Sequence, residues 1–386
     1  MRPVPDVLNV PDVPEVPDKQ LLLLGGGHAH LSLLQRLRSE APKGWQITLV
    51  SPHPRQVYSG MLPGWVAGHY AIEDCAISLA GLCERAGIAF AQTAATGLDL
   101  THDEVLCADG ERRRFDLVSI DTGPEPALSD LPGASDHTLP VRPIEGFIAG
   151  WPAIGSRWNE HADPFEVVVI GSGAAAVELA FAIRFRAARE GASGVRVSLV
   201  GRDAEPLAGT AGSASRRVMC LLRGRGIRWR GDSKAVQIEP GCIRFERGAA
   251  LPFDACLVAT GAAAPHWPHA AGLSTDDAGF IRVDRTLRSV SHPQVFAAGD
   301  VAAYADARPK SGVFAVRAGA ALAGNILAAC NGAALAEWRP QQRALYLVST
   351  ADCRAIASWG AWSACGRWVW KWKDGIDRRF VRRYQD

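Results

Sequence analysis

The sequence predicts an α/β protein built on parallel sheets, because one design of strand, glycine turn and helix occurs in it twice. Leucines 21–24 run directly into Gly25, Gly26 and Gly27, and residues 167–170, three valines and an isoleucine, run into Gly171, Ser172 and Gly173. A buried strand that stops at glycines and opens a helix aims main-chain N–H groups and the positive end of the helix dipole at a phosphate. Two such cradles predict two bound dinucleotides on one chain. Its 386 residues, 48% of them hydrophobic, suffice for two or three domains with cores of their own.

Residues 1–19 repeat Val, Pro and Asp without an apolar run, the composition of an extended, disordered tail and not of a secretory signal. The first unit follows: a strand at 21–24, a helix over 28–37, a return turn at Pro42, Lys43 and Gly44, and a strand at 47–50. Residues 115–120 give a further buried strand that stops at Asp121, Thr122 and Gly123, and the stretch 122–164, rich in Pro, Gly and Asp, reads as a connection between domains. The second unit repeats the order, with a strand at 167–170, a helix over 174–189, a turn at 191–194 and a strand at 195–200. It closes with a strand at 257–259 that ends at Thr260 and Gly261. Two similar halves mean a duplicated or an inserted nucleotide-binding domain. Residues 295–298 supply one more strand, ending at Gly299 and Asp300, before an alanine-rich helix over 313–329. In the last stretch Trp368, Trp372, Ile376 and Phe380 share one helical face, opposite a basic face with Arg378, Arg379, Arg382 and Arg383. Such a stripe packs on the body, forms a homodimer or lies in a membrane interface, and its narrowness favours the first two.

A net charge of +2 leaves no electrostatic footprint for nucleic acid. Nine cysteines without a Cys-x-x-Cys pair give neither a disulfide framework nor a metal site, and read as reduced thiols of a cytoplasmic protein. No run of eighteen uninterrupted apolar residues marks a membrane-spanning helix. Contact with the inner face of a membrane would therefore be peripheral, through the C-terminal segment.

Taken in order, the two glycine turns, the Thr122-Gly123 and Thr260-Gly261 strand ends and Ala298-Gly299-Asp300 resemble the two-dinucleotide flavoproteins of the pyridine nucleotide–disulfide oxidoreductase superfamily, over residues 20–332. The run from Gly25 to His30, with Tyr58 to Gly64 after it, is similar to the flavoprotein domain fused to selenide, water dikinase, and to type II NADH dehydrogenases and sulfide:quinone oxidoreductases. The resemblance implies two Rossmann-like domains, an NAD(P) domain (146–285) inserted in an FAD domain (20–145 and 286–335), with a small C-terminal segment (336–386). It places FAD at Gly25, Gly27, His28, Ala29, His30, Ser51, Thr122, Gly123, Gly299, Asp300 and Gly312. NAD(P)H falls at Gly171, Gly173, Ala176, Arg202, Thr260 and Gly261.

Several positions depart from that pattern. His30 replaces the third glycine of the first turn, which permits close helix–strand packing, and Ser51 replaces the acid that would bind a ribose. After the second unit's strand comes Gly201-Arg202 in place of an acid, which tilts the choice toward NADPH. Glu178 matches a glutamate near flavin and nicotinamide in type II NADH dehydrogenases, and is the carboxylate candidate for the proton that accompanies hydride transfer. Lys310, in Pro309-Lys310-Ser311-Gly312, stands where its charge and a helix N-terminus would face the flavin's pyrimidine edge. Val313, Arg317 and Ala318 replace the glutamines of the quinone signature. No dithiol follows the first turn, which excludes a disulfide reductase, and only Cys330 and Cys353 lie late enough for one half of a sulfide-oxidising pair. The implied function is hydride transfer from NAD(P)H to FAD and on to a quinone or other small acceptor. The alternatives are sulfide- or selenium-linked flavin chemistry, or a non-catalytic flavin module that docks on a membrane or partner.

Overall fold

The computed structural model describes residues 19–160 and 164–385. The tail expected for residues 1–19 lies outside them, apart from Lys19, which opens the first strand. The chain begins with β1 (Lys19–Leu24), α1 (His28–Glu40), β2 (Trp45–Val50), β3 (Ala89–Ala91) and β4 (Leu117–Ile120). It then runs through β5 (Leu139–Pro140), α2 (Ile144–Glu160), β6 (Phe165–Ile170), α3 (Ala174–Arg189), β7 (Val195–Val200), β8 (Arg228–Arg230) and β9 (Ala255–Val258). β10 (Val295–Ala297) and α4 (Gly312–Cys330) follow, and the C-terminal segment adds β11 (Tyr346–Ser349), β12 (Ala355–Trp359), β13 (Trp362–Gly366) and α5 (Arg367–Arg382).

Both major sheets are five-stranded and wholly parallel, and they share one plan. The first runs β10-β4-β1-β2-β3 and the second β5-β9-β6-β7-β8. The strand that feeds a glycine turn is central in each, buried on both faces, which is why both read as unbroken apolar runs. Because β10 pairs with β4 across the whole second unit, that unit is an insertion and not a tandem duplicate.

Two expectations need correction. The stretch 122–164 is more than a connection. Its β5 joins the second sheet, and its α2 is a 17-residue helix with Pro152 inside it. Phe147, Trp151, Ile154 and Trp158, at i, i+4, i+7 and i+11, are all buried against the second core, each worth about 2–3 kcal/mol of burial. The Pro and Gly content hid this aromatic stripe. The tryptophan stripe, for its part, packs on the body only at Phe380, whose ring meets Tyr58 at 4.5 Å between centroids: Trp368 is 54% and Trp372 41% exposed, and Ile376 is exposed too. α5 buries its neighbouring face instead, through Val369, Asp377 and Val381, with Tyr384 just beyond the helix.

By length and composition alone α4 could cross a membrane, although Arg317 and Asn325 break its apolar run. More than half of it is buried, and it packs along α1.

Candidate active site

At the first turn the chain folds around one buried acid, Asp121, at the end of β4. Its Oδ2 accepts hydrogen bonds from the N–H groups of Ala29 (2.8 Å) and His30 (2.9 Å), so it caps the start of α1 from a neighbouring strand. Gly25 has φ +87°, and a Cβ there would lie 2.5 Å from the Asp121 carbonyl oxygen; Gly27 and Gly299 also abut Asp121 too closely for any side chain. Burial, first of all, pushes the Asp121 carboxyl up to about 8, against the pull of the two helix N–H groups.

His30 is wholly buried and does what a glycine could not. Its Nδ1 lies 2.6 Å from the Gly25 carbonyl oxygen and its Nε2 2.8 Å from Ser119 Oγ. A carbonyl can only accept, so Nδ1 carries the proton and Nε2 accepts from the Ser119 hydroxyl. Burial holds the ring pKa down to about 4, which keeps this single tautomer neutral. The imidazole therefore ties the glycine turn to β4.

His28, one residue into α1, stacks on Phe380 (5.8 Å between centroids) and meets Tyr58 edge-on at 5.6 Å. Its Nε2 and the Ser311 hydroxyl, at the N-terminus of α4, are buried polar atoms without a protein partner among the described residues. Such atoms, beside glycines that admit no Cβ, fit a polar ligand that lies against both helix starts. Burial holds His28 down to about 4. Asp300 is buried and its Oδ2 pairs with Arg142 Nη1 at 3.1 Å. Ser51 is buried, its hydroxyl donating to the His53 carbonyl at 3.1 Å. Thr122 is exposed beside Gly123, which has φ +78°. Lys310 is drawn away from solvent: Nζ donates to the Ala302 carbonyl at 2.5 Å and lies 3.8 Å over the Phe280 ring, and burial lowers its pKa. Gly312 opens α4 with Ser59 as its nearest neighbour.

At the second turn Gly171 has φ +145°, Gly173 caps α3, and Ala176 packs against Gly171. Thr260 and Gly261 are exposed beyond β9, and Arg202 is exposed beyond β7. From the same helix, α3, comes Glu178, which is buried where an ordinary helix residue would be solvated. Its Oε1 accepts from the Ser349 N–H at 2.7 Å and lies 4.0 Å from Lys373 Nζ on α5. Burial raises its pKa to about 7, opposed by Lys373 and the Ser349 bond. Lys373 also donates to the Gly60 carbonyl (2.7 Å) and to Asp377 Oδ2 (2.6 Å). Burial works against its charge, yet Glu178 and Asp377 raise its pKa overall. Asp377 is also hydrogen-bonded by Tyr58, whose ring touches His28. The two turns are thus joined by one buried path: His28, Tyr58, Asp377, Lys373, Glu178.

Sequence reasoning singled out Glu178 but missed Asp121, Arg142, Lys373 and Asp377. The signal for Asp121 was its place immediately before Thr122-Gly123. Lys373 and Asp377 are four apart on a helix, a spacing that reads as a surface pair. Among the described residues all nine cysteines are free and no cluster of acidic, His or Cys side chains could hold a metal.

Comparison with known proteins agrees with this geometry. Demethylphylloquinone reductase NdbB of Synechocystis is 25% identical over 299 residues, covering 75% of this chain and 73% of that protein. The alternative NAD(P)H-ubiquinone oxidoreductase C1 of Arabidopsis thaliana is 26% identical over 338 residues, covering 75% of this chain and 63% of its own length. Among solved structures, the sulfide:quinone oxidoreductase of Aquifex aeolicus superposes with a TM-score of 0.81 at 19% identity, over 95% of this chain and 91% of that one. NDH2 of Plasmodium falciparum, solved with NADH, gives 0.76 at 12% identity, over 95% and 99%. Residues 19–319 match the family model described as pyridine nucleotide-disulphide oxidoreductase. This chain belongs to that family, and with it to the oxidoreductases that use a flavin and a pyridine nucleotide.

Proposed function

We propose that this protein is an FAD-dependent NAD(P)H dehydrogenase that passes reducing equivalents to a quinone or a similar small acceptor. The observation that carries the reading is Glu178: a buried carboxyl with a pKa near neutrality, on the helix opened by the second turn and joined by side chains to the first. FAD, when bound, would supply the two-electron redox chemistry that links a nicotinamide donor to the acceptor. The chain's own residues hold the first turn (His30, Asp121), set the starts of α1 and α3 beside their glycines, and link the two by side-chain contacts from His28 to Glu178. Glu178 holds or releases a proton at its carboxyl, as a two-electron acceptor requires. The Ser349 N–H orients the carboxyl, and Lys373, as the larger opponent of burial, keeps its pKa within reach of neutrality.

The absence of a Cys-x-x-Cys pair supports an acceptor other than a disulfide. A quinone is supported by the relatives, one a demethylphylloquinone reductase and one an NAD(P)H-ubiquinone oxidoreductase. A peripheral seat on the inner face of a membrane is supported by the exposed Trp359, Trp362, Trp368 and Trp372, beside Arg367 and Lys371. Anaerobic titration of the flavin-loaded protein with NADH or NADPH is expected to bleach the flavin absorbance, and a short-chain quinone to restore it. No bleaching by either nucleotide overturns the reading.

A further inference from the structure

The end of β7 is where a dinucleotide site declares its preference. A carboxylate there accepts a bond from a free ribose 2′-hydroxyl and repels a 2′-phosphate. In this chain the position is Gly201, and the structure shows that the lack of an acid is built in. A Cβ on Gly201 would lie 2.5 Å from Cη2 of Trp229 and 2.9 Å from Cβ of Ser172. No side chain fits without moving the indole.

That indole is held. Trp229 sits on β8 in register with Leu199 of β7, and its Nε1 donates to the Ala204 carbonyl at 3.0 Å. The two loops beyond these strands are laced together by main-chain bonds: Gly201 N–H to Arg230 (3.0 Å), Ser233 N–H to Gly201 (2.9 Å) and Asp232 N–H to Asp203 (3.1 Å). Asp203, the next acid along the chain, is engaged by the hydroxyl of Ser172, the middle residue of the second glycine turn. Its carboxylate is therefore committed to the turn.

Arg202 stands between the blocked Gly201 and the engaged Asp203. It is exposed, and among the described residues no acid pairs with it, whereas Arg196 on β7 and Arg228 on β8 both pair with Glu166. A free guanidinium beside a dinucleotide turn recognises phosphate by paired, charge-assisted hydrogen bonds.

We infer that the second site selects the 2′-phosphorylated nucleotide, NADPH over NADH, with Arg202 as the phosphate contact and Trp229 as the residue that bars an acid from Gly201. This rests on the assignment of the second turn to the nicotinamide dinucleotide. The single most telling feature is steric: a surface arginine alone is commonplace, but an indole wedged over the acid's position is not.

Calorimetric binding to the flavin-loaded protein tests it without turnover. NADPH is expected to bind at least about tenfold tighter than NADH, and adenosine 2′,5′-bisphosphate to compete where adenosine 5′-monophosphate does not. Arg202→Ala is expected to weaken NADPH about tenfold or more and leave NADH unchanged. The double variant Gly201→Glu with Trp229→Ala gives the acid its room and is expected to reverse the preference. Should that variant not fold, Arg202→Glu, on an exposed side chain, must abolish the preference by itself. Equal affinities, tighter NADH, or an Arg202→Ala loss shared by both nucleotides overturns the inference while leaving the site's assignment intact. Binding of neither nucleotide overturns the assignment and the inference together.

Discussion

Lys373 Nζ stands 4.0 Å from Glu178 Oε1, with both side chains almost wholly out of water, although one belongs to α5 and the other to α3. A charge removed from such a pair leaves its partner uncompensated in a medium of low polarisability, so this contact should dominate the behaviour of the site.

Glu178→Gln is expected to lower acceptor-dependent turnover about 100-fold or more, because proton handling by a placed carboxyl is worth that much. Flavin content should stay at the wild-type level, since Glu178 lies on the second unit's helix. The pH profile of turnover should lose the ionisation near 7 that burial gives this group. Steady-state kinetics with a flavin determination would check both.

Lys373→Met should move that ionisation further toward alkaline pH, because Lys373 is the largest influence holding the Glu178 carboxyl down against burial. It also strands Asp377, at a stability cost of about 3–5 kcal/mol, read as a fall in Tm. Lys373→Arg retains the charge and is expected to return the ionisation toward its wild-type position.

Asp121 gives a pH dependence of stability whose sign can be worked out. Its folded pKa, about 8, lies above the ordinary 3.8, so the fold favours the protonated carboxyl. The contribution is full below about pH 4 and is lost as pH rises through about 8. Asp121→Asn cannot ionise, so the wild-type Tm should fall relative to the variant across that window in a series of thermal scans.

Restoring a glycine by His30→Gly should weaken the fold, contrary to what the motif alone suggests. The variant loses both ring contacts and opens a cavity, about 2–4 kcal/mol in all. Retention of flavin through gel filtration should fall with it.

Trp368→Ala combined with Trp372→Ala should leave Tm unchanged, since both rings are exposed, and should abolish flotation with vesicles containing anionic lipid. A change from dimer to monomer without loss of flotation would assign the patch to a second copy of the chain instead.

The glycine turns and the central strands were legible because a strand buried on both faces writes its whole length in apolar residues, and residues 174–189 and 195–200 proved to be exactly the bounds of α3 and β7. Glu178 was legible only through resemblance; that it is buried depends on Ser349 and Lys373, more than 170 residues further on. α2 escaped because Pro152 and its glycines mimic a loop, while the aromatic stripe that makes it a helix needs the second core to face. The stripe on α5 was legible in its periodicity but not in which of its residues pack: Phe380 meets Tyr58, while Trp368, Trp372 and Ile376 stay outside. A helix that buries a satisfied Lys–Asp pair can leave its tryptophans outside, and hydropathy alone does not reveal which face finds partners.

The first sheet is closed by β10, whose Val295 pairs with Val118, on the far side of every strand of the second sheet. During synthesis the amino-terminal half must wait, one edge unpaired, while the inserted unit emerges and acquires its own core. The inserted unit thus has the means to mature first, and loop closure over so long a span makes completion of the first sheet the slow, vulnerable step of biogenesis.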